Sequence, residues 1–408
     1  MKHTANEIAL ALLISSNVVV VFAHAWLGAS SQFTGVYLVA TTGILIVLGR
    51  WHSLFFADLL WLGLCGLVGV SAIQHAPAIL ECALVILSLA AYPASRGVPG
   101  AMQGRAFVLI LVVLVGLGSL LTLVAFGTEA TKLHGRPLIF GLYDHVLSQF
   151  ALLLSLLLFA FACSRTKIGL VAPIFVAPSA ILAAAQVRFV FVALISVLVL
   201  GSTIASQERR RFLAIAGLVI ASVLLGAIWK RDATVVYAKY AAQSIGATAS
   251  PSPPDAGCSA VNANNSVDVR LQIYREAIAV LPEAGLLGIG LGRFAQKSCL
   301  GSEVHNTVLQ AAIELGIPAG LALVGLIVAV WTSLFRLVGQ SFEVLFALCA
   351  LSFAVMLSTV YGTLASAGFL FMTLGYGVAT STKQRTSKPA FVPPAGAQGR
   401  ECAIVQKA

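Results

Sequence analysis

The sequence predicts an all-α polytopic membrane protein with about twelve transmembrane helices and one large periplasmic segment containing an amphipathic helix, and three observations carry that prediction. Of 408 residues, 59% are hydrophobic and 10% are charged. That is more apolar surface than one globular core can hide, so a bilayer must cover most of it. The apolar residues fall into successive stretches of roughly 17 to 22 residues, each enough helix to cross a ~30 Å hydrocarbon core. Lys and Arg gather in alternate connections between those stretches.

In chain order the stretches lie near 8–27, 33–49, 54–73, 77–94, 106–126, 146–163, 168–186, 189–206, 212–229, 314–335, 342–361 and 363–380. The first is preceded by Lys2 and ends near Ala23-His24-Ala25, which imitates a cleavable signal peptide. It is kept here as a span, because removing it leaves an odd number of helices and upsets the alternation of basic loops. Asp58 and Glu81 stand near the starts of their stretches, which suits interfacial acids better than groups of a proton relay. With the N-terminus cytoplasmic, the inner side collects Lys2, Arg50, Arg96, Arg105, Arg165, Lys167, Arg209, Arg210, Arg211, Arg336 and the Lys and Arg residues of the tail, 15 of 25 in all. Seven of the other 10 sit in 230–305, and long segments translocate with little regard to charge. The net charge of +10 therefore reads as a topology signal with some attraction to anionic membrane lipids; no nucleic acid is expected as a partner. The organisation that follows is 1–229 for the first nine helices, 230–305 for the external segment, 306–380 for the last three helices and 381–408 for a cytoplasmic tail.

The external segment changes composition twice. Residues 247–266, ATASPSPPDAGCSAVNANNS, are rich in Pro, Ser and Asn and read as loop. Beyond them, VDVRLQIYREAIAVLPEAG returns to helical periodicity. Val269, Ile273, Ala277 and Val280 form one stripe of an amphipathic helix that Ser266 would cap and Pro282 would stop. Relative to that stripe, Arg270 lies about 65° and Arg275 about 155° away at 100° per residue. Arg270 thus borders the packed face, and Arg275 points away from it as a solvated arginine would.

Of the seven cysteines, Cys258 and Cys299 alone fall in the external segment. Two thiols in an oxidising compartment suit a disulfide, which in the chain-entropy model contributes on the order of 3 to 4 kcal/mol for a loop of ~40 residues; two free thiols are the alternative. The sequence has no CxxC, no HExxH and no acidic cluster, so neither a metal nor another cofactor is expected.

Three polar features collect at the outer face. Arg188 interrupts two apolar stretches with little else to make a loop, so the chain must reverse there; the arginine either snorkels or meets an anion. GLLGIGLGRF carries Gly288, Gly290 and Gly292, which allow tight turns or close approach to a ligand; the spacing fits neither a dinucleotide fingerprint nor a Walker loop, and a turn without a ligand is equally compatible. His305, followed by Asn306, stands at the mouth of a span. A neutral imidazole there can accept a proton near pH 7, although a lone histidine in such a place is more often a surface or capping residue.

Taken in order, RLQIYREAIAVLPEAGLLGIGLGRF and HNTVLQAAIELGIPAG resemble the hallmark of the O-antigen ligase and polymerase superfamily: an arginine ahead of an aromatic and an alanine, a Pro-x-x-Gly and Gly-x-Gly run ending in Phe, then His-Asn leading into Glu-Leu-Gly. Here Gln186-Val187-Arg188-Phe189 replaces the usual Ser-Arg-Gly, and Tyr274 stands where tryptophan is common. The resemblance covers about 50 contiguous residues and implies a multi-pass glycosyltransferase of the Gram-negative inner membrane, with its site on the periplasmic face and both termini cytoplasmic. It also implies an undecaprenyl pyrophosphate donor bound by Arg188, Arg270 and Arg275, with His305 as the base. The function expected is that of an O-antigen ligase moving polysaccharide to a sugar hydroxyl of lipid A-core, inverting and metal-independent. An O-antigen polymerase and a protein O-oligosaccharyltransferase share the same motifs. A secondary transporter, from a different class, would instead place polar broken helices at the midplane.

Overall fold

The computed structural model of the protein describes residues 2–28, 31–50, 54–128, 131–132, 136–140, 145–164, 168–185, 187–232, 234–236, 239, 242, 266–360 and 362–386. Among the described residues ten helices lie ahead of residue 230: α1 (Lys2–Ile14), α2 (Ser16–Leu27), α3 (Ser31–Leu48), α4 (Phe56–His75), α5 (Ile79–Arg96), α6 (Arg105–Gly127), α7 (His145–Ala162), α8 (Ile168–Ala184), α9 (Arg188–Ile204) and α10 (Arg209–Trp229). From Ser266 onward come α11 (Ser266–Ala284), α12 (Arg293–Lys297), α13 (Thr307–Glu314), α14 (Ile317–Phe335), α15 (Phe342–Ser358) and α16 (Gly368–Thr386). A two-residue antiparallel ladder pairs Thr131–Lys132 with Arg136–Pro137.

Among the described residues, α4, α5, α6, α10 and α14 are long and apolar enough to cross a membrane, and the α1–α2 pair makes a sixth span if counted as one. Shorter apolar helices lie at Gly35–Leu48, Val146–Ala162, Phe175–Ala184, Arg188–Ile204 and Phe342–Ser358. The chain is therefore a polytopic helical membrane protein, with fewer full-length spans than the roughly twelve apolar stretches suggest. Local chemistry accounts for three differences. The stretch 8–27 is bent by 71° at Ser15, whose Oγ donates to the Ala11 carbonyl at 2.7 Å, the back-bond that bends helices. The run 314–335 is divided, because Gly316 at φ 102° and ψ 157° stands outside the helical region between α13 and α14. And α11 does not stop at Pro282 but ends at Ala284; the bond that Pro282 cannot donate belongs to the carbonyl of Ile278, which is on an exposed face where water can replace it.

Three helices make the centre. α7 from Phe150 to Phe159, α15 from Val344 to Ala354 and α16 from Leu370 to Thr382 are buried on all sides, the first two as expected of helices apolar all round, and Phe159 meets Phe353 edge to face at 5.6 Å. Against and around them, α5 packs on α16, α14 on α4, α6 on α7, and α10 on α8 and α9. Gly375 brings α16 against α5 backbone to backbone, since a Cβ there would lie 2.1 Å from the Tyr92 carbonyl oxygen.

The helix ends sort into two faces. At one, Arg50 N donates to Gly97 O at 3.0 Å, Arg96 meets Asp58 at 3.4 Å with both side chains buried, and Lys383 meets Glu343 at 2.8 Å. Arg385 lies over the Phe55 ring at 5.3 Å, Gln103 donates to Phe342 O at 3.1 Å, and Arg211 donates to Ser164 Oγ at 3.2 Å. Asp58 thus sits at its helix start but fully buried, accepting also from Tyr92 OH at 2.7 Å and from Phe55 N at 2.8 Å. The opposite face holds the ends of α4, α6, α10 and α15, the starts of α5, α9, α14 and α16, and all of the unit described next.

Candidate functional site

Residues 266–316 fold into a small unit with its own core. The stripe read from the sequence faces inward: Ile273 and Ala277 are buried, Val269 and Val280 partly so, against Phe294, Val304 and Ile313. Burial on this side leaves Arg270 half-buried and Arg275 exposed. Tyr274, one position before Arg275, donates its hydroxyl to the Thr359 carbonyl and so ties α11 to the turn between α15 and α16.

The glycine turn comes next, and its glycines are required by contact as well as by dihedral angle. Gly288 has φ 74°, and a Cβ on it would stand 2.3 Å from Glu314 O and 2.6 Å from Gly316 N. Those atoms cannot retreat, because Ile289 N donates to Ile313 O at 2.9 Å, Gly290 N to Glu314 O at 3.0 Å and Ile317 N to Gly285 O at 3.0 Å. The turn therefore runs along the α13–α14 junction as a short main-chain ladder. Gly290 packs on the His75 side chain, and Gly292 has the Glu81 carboxylate directly against it; Arg293 Nη2 donates to His75 O at 3.0 Å. Gly288→Ala is expected to lower the melting temperature in detergent and to cut activity at least tenfold, whereas Gly285→Ala, at φ 55° with open space around it, should cost only the left-handed backbone penalty of ~1–2 kcal/mol. Equal effects of the two substitutions, measured by thermal unfolding, would show that the close approach is unimportant.

His305 lies in the loop ahead of α13, half-buried, with the fully buried Val304 before it and Asn306 after it. Asn306 is the N-cap: at φ −147° and ψ 109° its side chain accepts from Leu309 N at 3.0 Å. Burial holds the imidazole pKa below its ordinary 6.5, and the nearby positive charge of Arg270 adds to the effect. His305 is therefore neutral at pH 7 and has a guanidinium close by, the combination that a proton acceptor beside an anionic leaving group needs.

Beneath this pair lies a buried carboxyl that the sequence reading placed in the Glu-Leu-Gly of the motif but gave no role. Glu314 accepts from Phe294 N at 3.3 Å, from Gln310 Nε2 at 2.9 Å and from the Gly292 amide. Burial pushes its pKa up to about 8, with the Glu81 charge as a lesser contribution in the same direction. The signal was available as Gln310 and Glu314, four residues apart in an otherwise apolar run. His75 and Glu81 carry no such signal, being far away in sequence and brought in only by the packing of the α4–α5 turn.

Arg188 is the first residue of α9 and is exposed. α9 packs on α10, α15 and α7, so Arg188 reaches this end of the bundle on a different element from Arg270 on α11 and His305 in its loop. Cys299 is disulfide-bonded; Cys258, the partner expected for it, lies outside the described residues. Among the described residues no three His, Cys, Asp or Glu side chains are grouped to hold a metal ion.

No curated protein and no solved structure matches the chain. Residues 173–324 match the profile of the O-antigen ligase family, a segment that runs from α8 into α14 and contains Arg188, Arg270, the glycine turn, His305 and Glu314. Through that segment, which carries the whole of the unit just described, the chain is similar to the O-antigen ligase family.

Proposed function

We propose that the protein is an O-antigen ligase that transfers polysaccharide from undecaprenyl pyrophosphate to a sugar hydroxyl of lipid A-core. The observation that carries this reading is the neutral His305 beside the Arg270 charge, at the end of the bundle where a lipid-held donor and a water-facing acceptor can meet. In the reaction the acceptor oxygen attacks the anomeric carbon while its proton passes to His305 Nε2 or Nδ1. The bond from that carbon to the pyrophosphate oxygen breaks, and undecaprenyl pyrophosphate leaves with the electron pair. Arg270, with Arg188 and Arg275, binds the diphosphate through charge-assisted hydrogen bonds that steady the growing negative charge. One displacement inverts the anomeric centre.

In the same reading the chain crosses the inner membrane about twelve times, the shorter apolar helices included. The face bearing Arg50, Arg96, Arg105, Arg211, Lys383 and Arg385 is cytoplasmic, and 230–305 is periplasmic. A periplasm-dependent phosphatase fused after Gly257 should then be active and one fused after Arg210 inactive; the reverse result overturns the orientation. Arginines neutralise the diphosphate here, so transfer by the purified protein should persist in excess chelator. Activity lost to chelator and restored by magnesium or manganese would refute that point.

The test of the function is the lipopolysaccharide of a deletion strain examined beside its lipid-linked glycans. A missing ligase leaves bare core while long polymer accumulates on undecaprenyl pyrophosphate. Core capped by a single repeat would identify a polymerase instead.

A further inference from the structure

All three polar side chains of α13 are buried: Thr307, Gln310 and Glu314 are 0%, 2% and 0% exposed. They lie on one side of the helix at spacings of three and four, and each joins α13 to another segment. Thr307 Oγ1 donates to Ser358 O at 3.4 Å at the end of α15. Gln310 Oε1 accepts from Leu364 N at 2.7 Å, and its Nε2 donates to Glu314 Oε2 at 2.9 Å. Glu314 in turn holds the amides of Gly292 and Phe294 at the far end of the glycine turn. Apolar side chains would pack α13 without these constraints, so the row of polar groups specifies position more than it adds stability.

We infer that Gln310 and Glu314 are positioning residues, a buried strut that fixes the glycine turn, and through it Arg270 on α11, relative to His305 at the head of α13. This rests on the function proposed above. The polarity of the strut is fully determined. Leu364 N–H requires the Gln310 oxygen, so the Gln310 amide nitrogen must face Glu314. Glu314 must then offer an acceptor oxygen on each side, to that nitrogen and to the two main-chain amides, which a carboxyl does in either protonation state because a hydroxyl oxygen keeps a lone pair. A glutamine at 314 cannot do this: whichever way it is turned, one donor faces another, and turning Gln310 only transfers the conflict to Leu364 N–H. A glutamate at 310 alone sets two carboxyls face to face. With the two exchanged, Gln310→Glu with Glu314→Gln, every bond is restored: the carboxyl at 310 accepts from Leu364 N and from the amide at 314, whose oxygen accepts from Gly292 and Phe294.

The test is that double-mutant cycle in the full-length protein, reconstituted in lipid nanodiscs. Each single substitution should lower kcat roughly 10- to 100-fold, the scale of an ångström-size misplacement, with a smaller change in the KM for donor, and the exchanged pair should recover most of it. A second measurement does not depend on turnover. The titration of His305, followed by imidazole nitrogen NMR of histidine-labelled protein and assigned by its loss in His305→Ala, should move toward 6.5 in each single variant as Arg270 shifts away, and return in the exchanged pair. Singles that unfold at lower temperature, yet keep wild-type kcat and an unmoved His305 titration, would reduce the strut to a stabilising contact. An exchanged pair no better than its singles would refute the pairing itself. If the wild type transfers no glycan, the ligase reading fails, and the titration alone decides the strut.

Discussion

Replacement of His305 by alanine is expected to lower glycan transfer by roughly 10² or more, the usual loss when a general base is removed, while donor binding survives. The imidazole is half-buried in a loop and is neither the cap of α13 nor part of the 266–316 core, both of which use other residues. Its removal should therefore leave the fold in place. The wild-type rate should fall on the acid side as His305 takes up its proton. Because burial and the Arg270 charge hold its pKa below 6.5, the enzyme should retain more than half of its activity at pH 6.5 where the step is limited by the base. A purified His305→Ala protein that transfers at the wild-type rate would make His305 a structural residue of the helix mouth.

Arg270 allows two functions of one side chain to be separated. Arg270→Lys keeps a positive charge but loses the planar fork that holds phosphate through two hydrogen bonds. A lost charge-assisted hydrogen bond of about 1.5–3 kcal/mol corresponds to a fall in kcat/KM of roughly 10- to 100-fold, with donor binding weakened as well as turnover. The acid limb of the pH profile should stay where it is. Arg270→Gln removes the charge, so the acid limb should also move upward toward 6.5, though only in part, since burial is the larger cause of the His305 shift. Kinetics at saturating and limiting donor, repeated across pH, distinguish the two variants. An acid limb equally displaced in both would mean that charge is not what Arg270 contributes to the imidazole.

The parts of this architecture that were legible in the sequence are those set by local pattern. The stripe Val269, Ile273, Ala277 and Val280 needs only helical periodicity to be read, and it is the face that α11 buries. The same geometry separates half-buried Arg270 from exposed Arg275. Local pattern failed where a single backbone group decides. Ser15 bends an apolar run by bonding back to Ala11, and Gly316 divides another through a dihedral angle no hydropathy count registers. Pro282 was overestimated as a stop because its lost bond falls where solvent can replace it. Least legible were the walls that the site takes from elsewhere. Leu364 N, Thr359 O, His75 and Glu81 reach it only through the packing of α4, α5, α15 and α16, and nothing in their own neighbourhoods announces a partner.

The contact between Glu81 and Gly292 constrains how such chains can diverge. A Cβ at 292 would stand 2.1 Å from Glu81 Oε2, on a residue already at φ 71°. Any side chain at 292 therefore demands both a left-handed backbone and a shorter residue or a displaced carboxylate at 81. The two positions, one before the family-matched segment and one inside it, should co-vary in an alignment of relatives: where 292 is not glycine, glutamate at 81 should be depleted. Shuffling the first five helices of one relative onto the remainder of another should then succeed or fail according to whether that pair is matched, even when every residue proposed to touch the substrate is kept.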